Sequence, residues 1–432
     1  MKNRLNIAFF GSSLVSAFWN GAATYYRGII RALADRGHRV TFYEPDAYER
    51  QQHRDIADPD WARVVVYRGD SHVAALHALE QARDADLIVK ASGVGVFDEL
   101  LEAAVLELKT AHNLVAFWDV DAPATLDRVT INLHDAFRPL IRRYDLILTY
   151  GGGDPVVTAY EALGARLCVP IYNALDPHTH FPVPPDPRFT SDLAFLGNRL
   201  PDREARVEEF FLRAAELLPE RRFLLGGSGW PDRPLPANVT YAGHVYTADH
   251  NAFNVTPTAV LNINRASMAR YGFSPPTRVF EAAGAGACLI TDAWTGLELF
   301  LEPGREVLVA NDGSEVAEHV RTLDRARAEH IGAAARQRVL AEHTYAHRVA
   351  QLESVLGHAQ AESRRRAIEA PPPLAPAGLE PAVGDAAVKA PSLAEPDAPA
   401  HARTATFSAA GTLRATGPSP LVAQMEPAVP EG

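Results

Sequence analysis

The stretch Thr277–Asp292, TRVFEAAGAGACLITD, sets one carboxylate, Glu281, in a helical run of otherwise small and apolar residues. A carboxylate can accept hydrogen bonds from two vicinal hydroxyls at once, as a ribose presents them. Buried without a partner it would be costly or neutralised, so the position calls for a ligand or a cation. A salt bridge to Arg278 or another arginine is the alternative to a ligand. Gly284 and Gly286 let the helix approach a ligand or the sheet closely.

Other residues have the types and positions for related chemistry. FLGNRLPDREARVEEFF places Arg199 and Arg203 between a strand end and a helix start. Guanidinium groups there add fixed charge around a diphosphate, with surface arginines as the plainer reading. FWDVDAPAT sets Asp119 and Asp121 at the carboxyl end of a strand. Such a pair suits a divalent cation, an acceptor hydroxyl with general-base work, or the capping of the next helix, and the residues leave these open. GSSLVSAFWNGAATYYRG supplies Gly11, Ser12 and Gly21 ahead of a helix whose first amides favour an anion. Its spacing matches neither a phosphate loop nor a dinucleotide fingerprint. AGHV offers the main chain around His244 and Val245 to a base edge, and GFSPPTR adds Ser274 and Arg278. His178 and His180, in YNALDPHTHF, read as exposed linker histidines rather than metal ligands.

These residues must be positioned by alternating strands and helices. NIAFFGSS, RVTFYEP, ARVVVY, DLIVKAS, NLVAFWDV, YDLILTY and RLCVPIY predict seven strands. DLAFLGN, RRFLLGGSG, NVTYAGH, AVLNINR, ACLITD and EVLVAND predict six more. Apolar strands separated by helical stripes, such as Tyr26, Ile29, Ile30 and Leu33, predict parallel sheets covered on both faces. Ligands of such sheets sit beyond the carboxyl ends of the strands, where the residues above fall. A Pro-rich crossing divides the run. The expected α/β organisation is two doubly wound, Rossmann-like domains facing a central cleft: residues 1–175, a linker at 176–190, and 191–360. The Ala- and Pro-rich tail, 370–432, has few large apolar residues and is expected to be disordered.

As a set, FFGSSLVSAFWNGAATYYRG, FYEPD, FWDVDAPAT, IYNALDP, FLGNR, GHV and RVFEAAGAGACLITDAWTGLE resemble the CgeB-like (spore maturation protein) glycosyltransferase family. FEAAGAGACLITD by itself resembles the helix–strand signature of group 1, family-4-like glycosyltransferases of the GT-B fold. The resemblance runs from about Asn6 to Leu356. It implies a nucleotide-sugar donor in the second domain, with Glu281 on the ribose as the second glutamate of an E-x7-E motif. It also implies Arg199 near the diphosphate and the main chain of His244 and Val245 near the base; Arg203, Ser274 and Arg278 are further candidate donor-binding residues that the sequence itself supplies. The first domain would take the acceptor, with Gly11 and Ser12 lining the cleft and Asp119 or Asp121 at the reacting centre. One departure stands out: Phe273 occupies the place of the first glutamate of that motif, which leaves retention or inversion open.

The implied activity is metal-independent transfer of a hexosyl group from a nucleotide sugar to a glycan, protein or small molecule. A nucleotide-sugar epimerase of the same fold and a non-catalytic nucleotide-sugar or glycan binder are the competing readings. The chain of 432 residues carries a formal charge of -11, which argues against a nucleic-acid partner. No apolar run reaches the length of a membrane span, and the basic start followed by IAFF breaks at GSS, which reads as a strand rather than a signal peptide. The two cysteines, Cys168 and Cys288, lie in apolar runs and are expected to be reduced and structural. A cytoplasmic location is the expectation.

Overall fold

Thirteen strands form two fully parallel sheets in the computed structural model, which describes residues 4–18 and 20–369. In the first, β1 (Asn6–Phe10), β2 (Arg39–Asp46), β3 (Arg63–Arg68), β4 (Leu87–Ala91), β5 (Leu114–Asp119), β6 (Leu146–Thr149) and β7 (Cys168–Pro170) lie in the order 3-2-1-4-5-6-7. In the second, β8 (Leu193–Leu196), β9 (Phe223–Gly226), β10 (Val239–Gly243), β11 (Ala259–Asn262), β12 (Leu289–Asp292) and β13 (Leu308–Ala310) lie in the order 10-9-8-11-12-13. Each of the runs read as a strand is one, and central strands such as β4, β5, β9 and β11, buried at every position, are the ones that must be apolar on both faces.

Alternation along a strand assigns its side chains to two layers. Phe9, Val89 and Ala116 join the first helix's Tyr26, Ile29, Ile30 and Leu33 on one face. Phe10, Ile88, Val115 and Phe117 meet the helices of the other. The second sheet repeats this, with Phe195 and Leu225 on one side and Ala194, Leu224 and the Thr277–Ala285 helix on the other.

The chain's end differs from expectation. The stretch expected as the second domain, 191–360, ends in two helices, Arg325–Glu342 and Tyr345–Glu369, broken at His343 and Thr344. Tyr345, Val349, Leu352 and Leu356 of the last helix pack into the first sheet's core, so this segment returns to the first domain. At the crossing Leu175 donates to the His343 carbonyl over 2.8 Å and accepts from Tyr345 over 3.1 Å. The outgoing and returning strands of chain are thus bonded to each other. Both sheets fall within one compact unit of the chain that ends at Ala367. The Ala- and Pro-rich stretch at 370–432 lies outside the described residues.

Both cysteines are buried and unpaired. Burial pushes the Cys168 thiol up, and the Cys288 thiol up to about 12, which makes them inert packing residues. Among the described residues no helix is long and apolar enough to cross a membrane.

Candidate active site

Glu281 sits one turn into the Thr277–Ala285 helix, and its residue is 9% exposed. Gly284, three residues on and so on the same face, lets the linker lie against this helix. A Cβ at Gly284 would come 2.3 Å from Leu175 Cδ1 and 3.0 Å from the His180 carbonyl. That approach carries His180 to Glu281, with Nε2 and Oε1 3.9 Å apart. Burial pushes the Glu281 carboxyl up, but the charges of His180, Arg278 and His250 and the Thr277 hydroxyl outweigh it and hold it below its usual value. Its near ionic neighbour among the described residues is therefore a histidine, and the Arg278 guanidinium adds charge from farther off. The expectation that His180 is an exposed linker residue is corrected: it is 6% exposed, while His178 alone of the pair faces solvent.

The loop ahead of this helix is clasped between the domains. Phe273 takes a φ of +47° and accepts from Gly152 over 2.8 Å, while its own amide donates to Thr295 over 2.6 Å. Its ring packs beside Gly153 and Gly296. Ser274 is buried, donates to the Gly272 carbonyl over 2.9 Å and lies against Gly151. Where the implied motif would put an acid, this chain has an apolar wedge between the loops after β6 and β12.

The two aspartates after β5 separate sharply. Asp119 is fully buried; Oδ1 accepts from Ser92 Oγ over 2.8 Å, the Asp121 amide over 3.0 Å and Thr125 Oγ1 over 3.1 Å. Oδ2 accepts from Tyr160 Oη over 2.5 Å. A carboxylate with both oxygens so occupied holds the loop and cannot reach a substrate, which corrects its expected place at the reacting centre. Asp121 is the one that emerges, with its side chain 35% exposed and Oδ2 3.8 Å from Arg265 NH1, across the cleft after β11. Asp127 likewise reaches the second domain, accepting from Arg270 and Tyr271 Oη over 2.9 Å each.

The arginines after β8 also divide. Arg203 folds back over Gly197, where NH1 lies 3.0 Å from the position of a glycine Cβ. Its charge, with those of Asp121 and Arg265, is felt at the hydroxyl of the partly buried Tyr150, just after β6, so these groups share one neighbourhood. Arg199 instead pairs with Glu204 over 2.6 Å and Asp232 over 3.0 Å. Sequence reasoning missed Arg206, which pairs over 2.6 Å with the fully buried Asp292 at the end of β12. The acid closing ACLITD was the available signal.

On the base side, His244 is exposed and stands edge-on to Tyr246. The Val245 side chain is buried, and its carbonyl already accepts from His250 Nε2 over 3.3 Å. In the first domain Gly11 is covered by the Phe42 ring, and Ser12 donates to Asn20 Oδ1 over 2.8 Å. The rest of that loop is tied down by buried Glu44, which accepts from Ser13 Oγ and the Leu14 amide. Gly21 is exposed with open space around it.

Residues 203–354 match the family described as glycosyl transferase-like. No curated protein sequence matches the chain. Among solved structures, the sucrose-phosphate synthase of Thermosynechococcus elongatus aligns with a TM-score of 0.61 at 14% identity, over 83% of this chain and 99% of that one. Anabaena HepE in complex with UDP-glucose aligns at 0.57 and 16% identity, over 82% and 100%. An alpha-glucosyltransferase in complex with UDP and a 13-mer DNA aligns at 0.59 and 12% identity, again over 82% and 100%. The chain therefore has the GT-B fold of two Rossmann-like domains, and its second half carries a glycosyl transferase-like domain.

Proposed function

We propose that the protein is a glycosyltransferase of the CgeB-like kind, moving a hexosyl group from a nucleoside diphosphate sugar to an acceptor without a catalytic metal. The observation that carries this is the ionised, nearly buried Glu281 on the helix after β11, within the glycosyl transferase-like segment. The UDP and UDP-glucose held by structural neighbours make a uridine nucleotide the first donor to try.

In this reading Glu281 accepts from the ribose hydroxyls. Arg203, with Arg265 nearby, meets the charge that grows on the leaving diphosphate. Arg199 contributes once its two carboxylate partners yield, and the main chain at His244 and Val245 lies by the base. Asp121 faces the acceptor and takes the proton of its hydroxyl as that oxygen bonds to the anomeric carbon and the diphosphate oxygen departs. Phe273 supplies an apolar wall beside the sugar, where other chains of this fold would place an acid. Closure of the two domains excludes water, which otherwise hydrolyses the donor. The acceptor is a glycan, protein or small molecule; the net charge of -11 disfavours nucleic acid. Two buried, unpaired cysteines fit a reducing compartment such as the cytoplasm.

Calorimetry tests the reading. UDP should bind the wild-type chain, and Glu281→Ala should weaken it by about tenfold or more. Unchanged affinity would reject the ribose role. Slow donor hydrolysis without acceptor separates an enzyme from a non-catalytic binder, and NMR of donor panels without acceptor separates it from an epimerase.

A further inference from the structure

Three segments distant in sequence bring His180, His250 and Glu281 to one point: the linker, the His250–Val255 helix and the Thr277–Ala285 helix. One ligand-capable atom from each lies within 4.8 Å of the other two. The linker is fixed there by Asn251 Nδ2, which donates to the Thr179 carbonyl over 2.9 Å.

The hydrogen positions follow from the neighbours. When Thr179 Oγ1 gives its only hydrogen to the Asp176 carbonyl at 3.2 Å, it accepts from His180 Nδ1 at 3.0 Å. In the neutral ring the lone pair of His180 is then on Nε2, the nitrogen facing Glu281. His250 Nε2 lies 3.3 Å from the Val245 carbonyl, which can only accept, so in the neutral ring the lone pair is on Nδ1. With both rings deprotonated, as a metal requires, two imidazoles and a carboxylate meet at this point, and each ring has a nitrogen held by a neighbouring oxygen. That is the arrangement of metal-ligating histidines with their supporting contacts.

We propose that His180, His250 and Glu281 form a three-ligand site for Zn2+. Two nitrogens and one oxygen suit Zn2+, whereas Mg2+ prefers oxygen alone. Tetrahedral bonds of about 2.1 Å set ligand atoms about 3.4 Å apart, so the side chains close in by small rotations from separations of 3.9 Å for His180–Glu281 and at most 4.8 Å for the others. The fourth position is left for water. Arg278, whose charge already acts on Glu281, opposes a second positive charge there. On the reading of Glu281 as the ribose ligand, Zn2+ and the nucleotide compete for one carboxylate, and the metal is an inhibitor rather than a cofactor.

The untagged full chain, freed of metal, is titrated with ZnCl2 and separately with MgCl2 by calorimetry. One saturable Zn2+ event is expected, with no Mg2+ event, and binding weakened by about tenfold or more in His180→Ala and His250→Ala. His178→Ala, on the exposed neighbour, should bind as wild type. His250→Gln leaves the linker sequence intact and serves if His180→Ala unfolds, and melting curves without metal check each variant. Absence of a saturable event, or wild-type affinity in both His250 variants, overturns the site and leaves a proton as the shared cation. UDP titrated into the metal-free chain tests the ribose reading separately: UDP binding can fail while Zn2+ binds, and the reverse. Where both bind, saturating Zn2+ should raise the apparent Kd for UDP, and no change overturns the competition.

Discussion

The Gly152 amide and the Phe273 carbonyl are joined over 2.8 Å, which ties the loop after β6 in the first domain to the loop ahead of the Glu281 helix in the second. Phe273 is held at φ +47°, a conformation that costs a non-glycine residue about 1 kcal/mol or more. Its ring fills the space that two glycines leave, since a Cβ would come within 2.5 Å of it at Gly153 and within 2.2 Å at Gly296.

Gly296→Ala should therefore lower stability by about 2–4 kcal/mol in urea unfolding, from overpacking against this ring together with the φ of +88°. Gly304→Ala is the control, with φ +83° and open space around it, and should lose only about 1 kcal/mol. Equal losses would remove the wedge from the account.

Asp119 and Asp121 should behave oppositely. Asp119→Ala strands the donors of Ser92, Thr125, Tyr160 and the Asp121 amide in the interior, and should cost about 3 kcal/mol or more of stability. Asp121→Asn should leave the melting temperature nearly unchanged and lower turnover by about 100-fold or more. A stable, active Asp119→Ala protein would refute the assignment.

Arg203→Ala should weaken UDP binding by about tenfold in calorimetry. Arg199→Ala should have the smaller effect, because Glu204 and Asp232 already neutralise that guanidinium. The reverse order would move the diphosphate to the outer arginine.

Glu102 gives a prediction in pH. Burial, opposed by the charges of Lys90 and Arg128, pushes its carboxyl up to about 7. The folded chain therefore keeps a proton that the unfolded chain releases near the ordinary 4.5. The stability this proton confers is complete below that ordinary value and is lost as pH rises through about 7. Glu102→Gln should exceed wild type by roughly 2–3 kcal/mol at about pH 8 and match it near pH 4.5, by urea unfolding at both.

The sequence by itself determined the thirteen strands, their division into two sheets and the candidate residues at the strands' carboxyl ends. Those features follow from local patterns: continuous apolar runs, helical stripes and a Pro-rich break, each legible within a few residues. It also singled out Glu281, because a lone acid among small residues is anomalous wherever it lies. Tertiary structure decided the partners. His180 lay in a polar linker and became buried only because Gly284 admits that linker to the helix, a contact more than a hundred residues apart. Asp119 and Asp121 look alike in FWDVDAPAT, and Tyr160, Ser92 and Thr125, brought in by other elements, make one a buried brace and leave the other facing the cleft. The last helix carries an ordinary periodic stripe, and only the packing of Tyr345 and Leu352 shows that it returns to the first sheet. Local pattern fixes which elements form; the contacts between distant segments fix the charge, burial and reach of each side chain, and with them its chemistry.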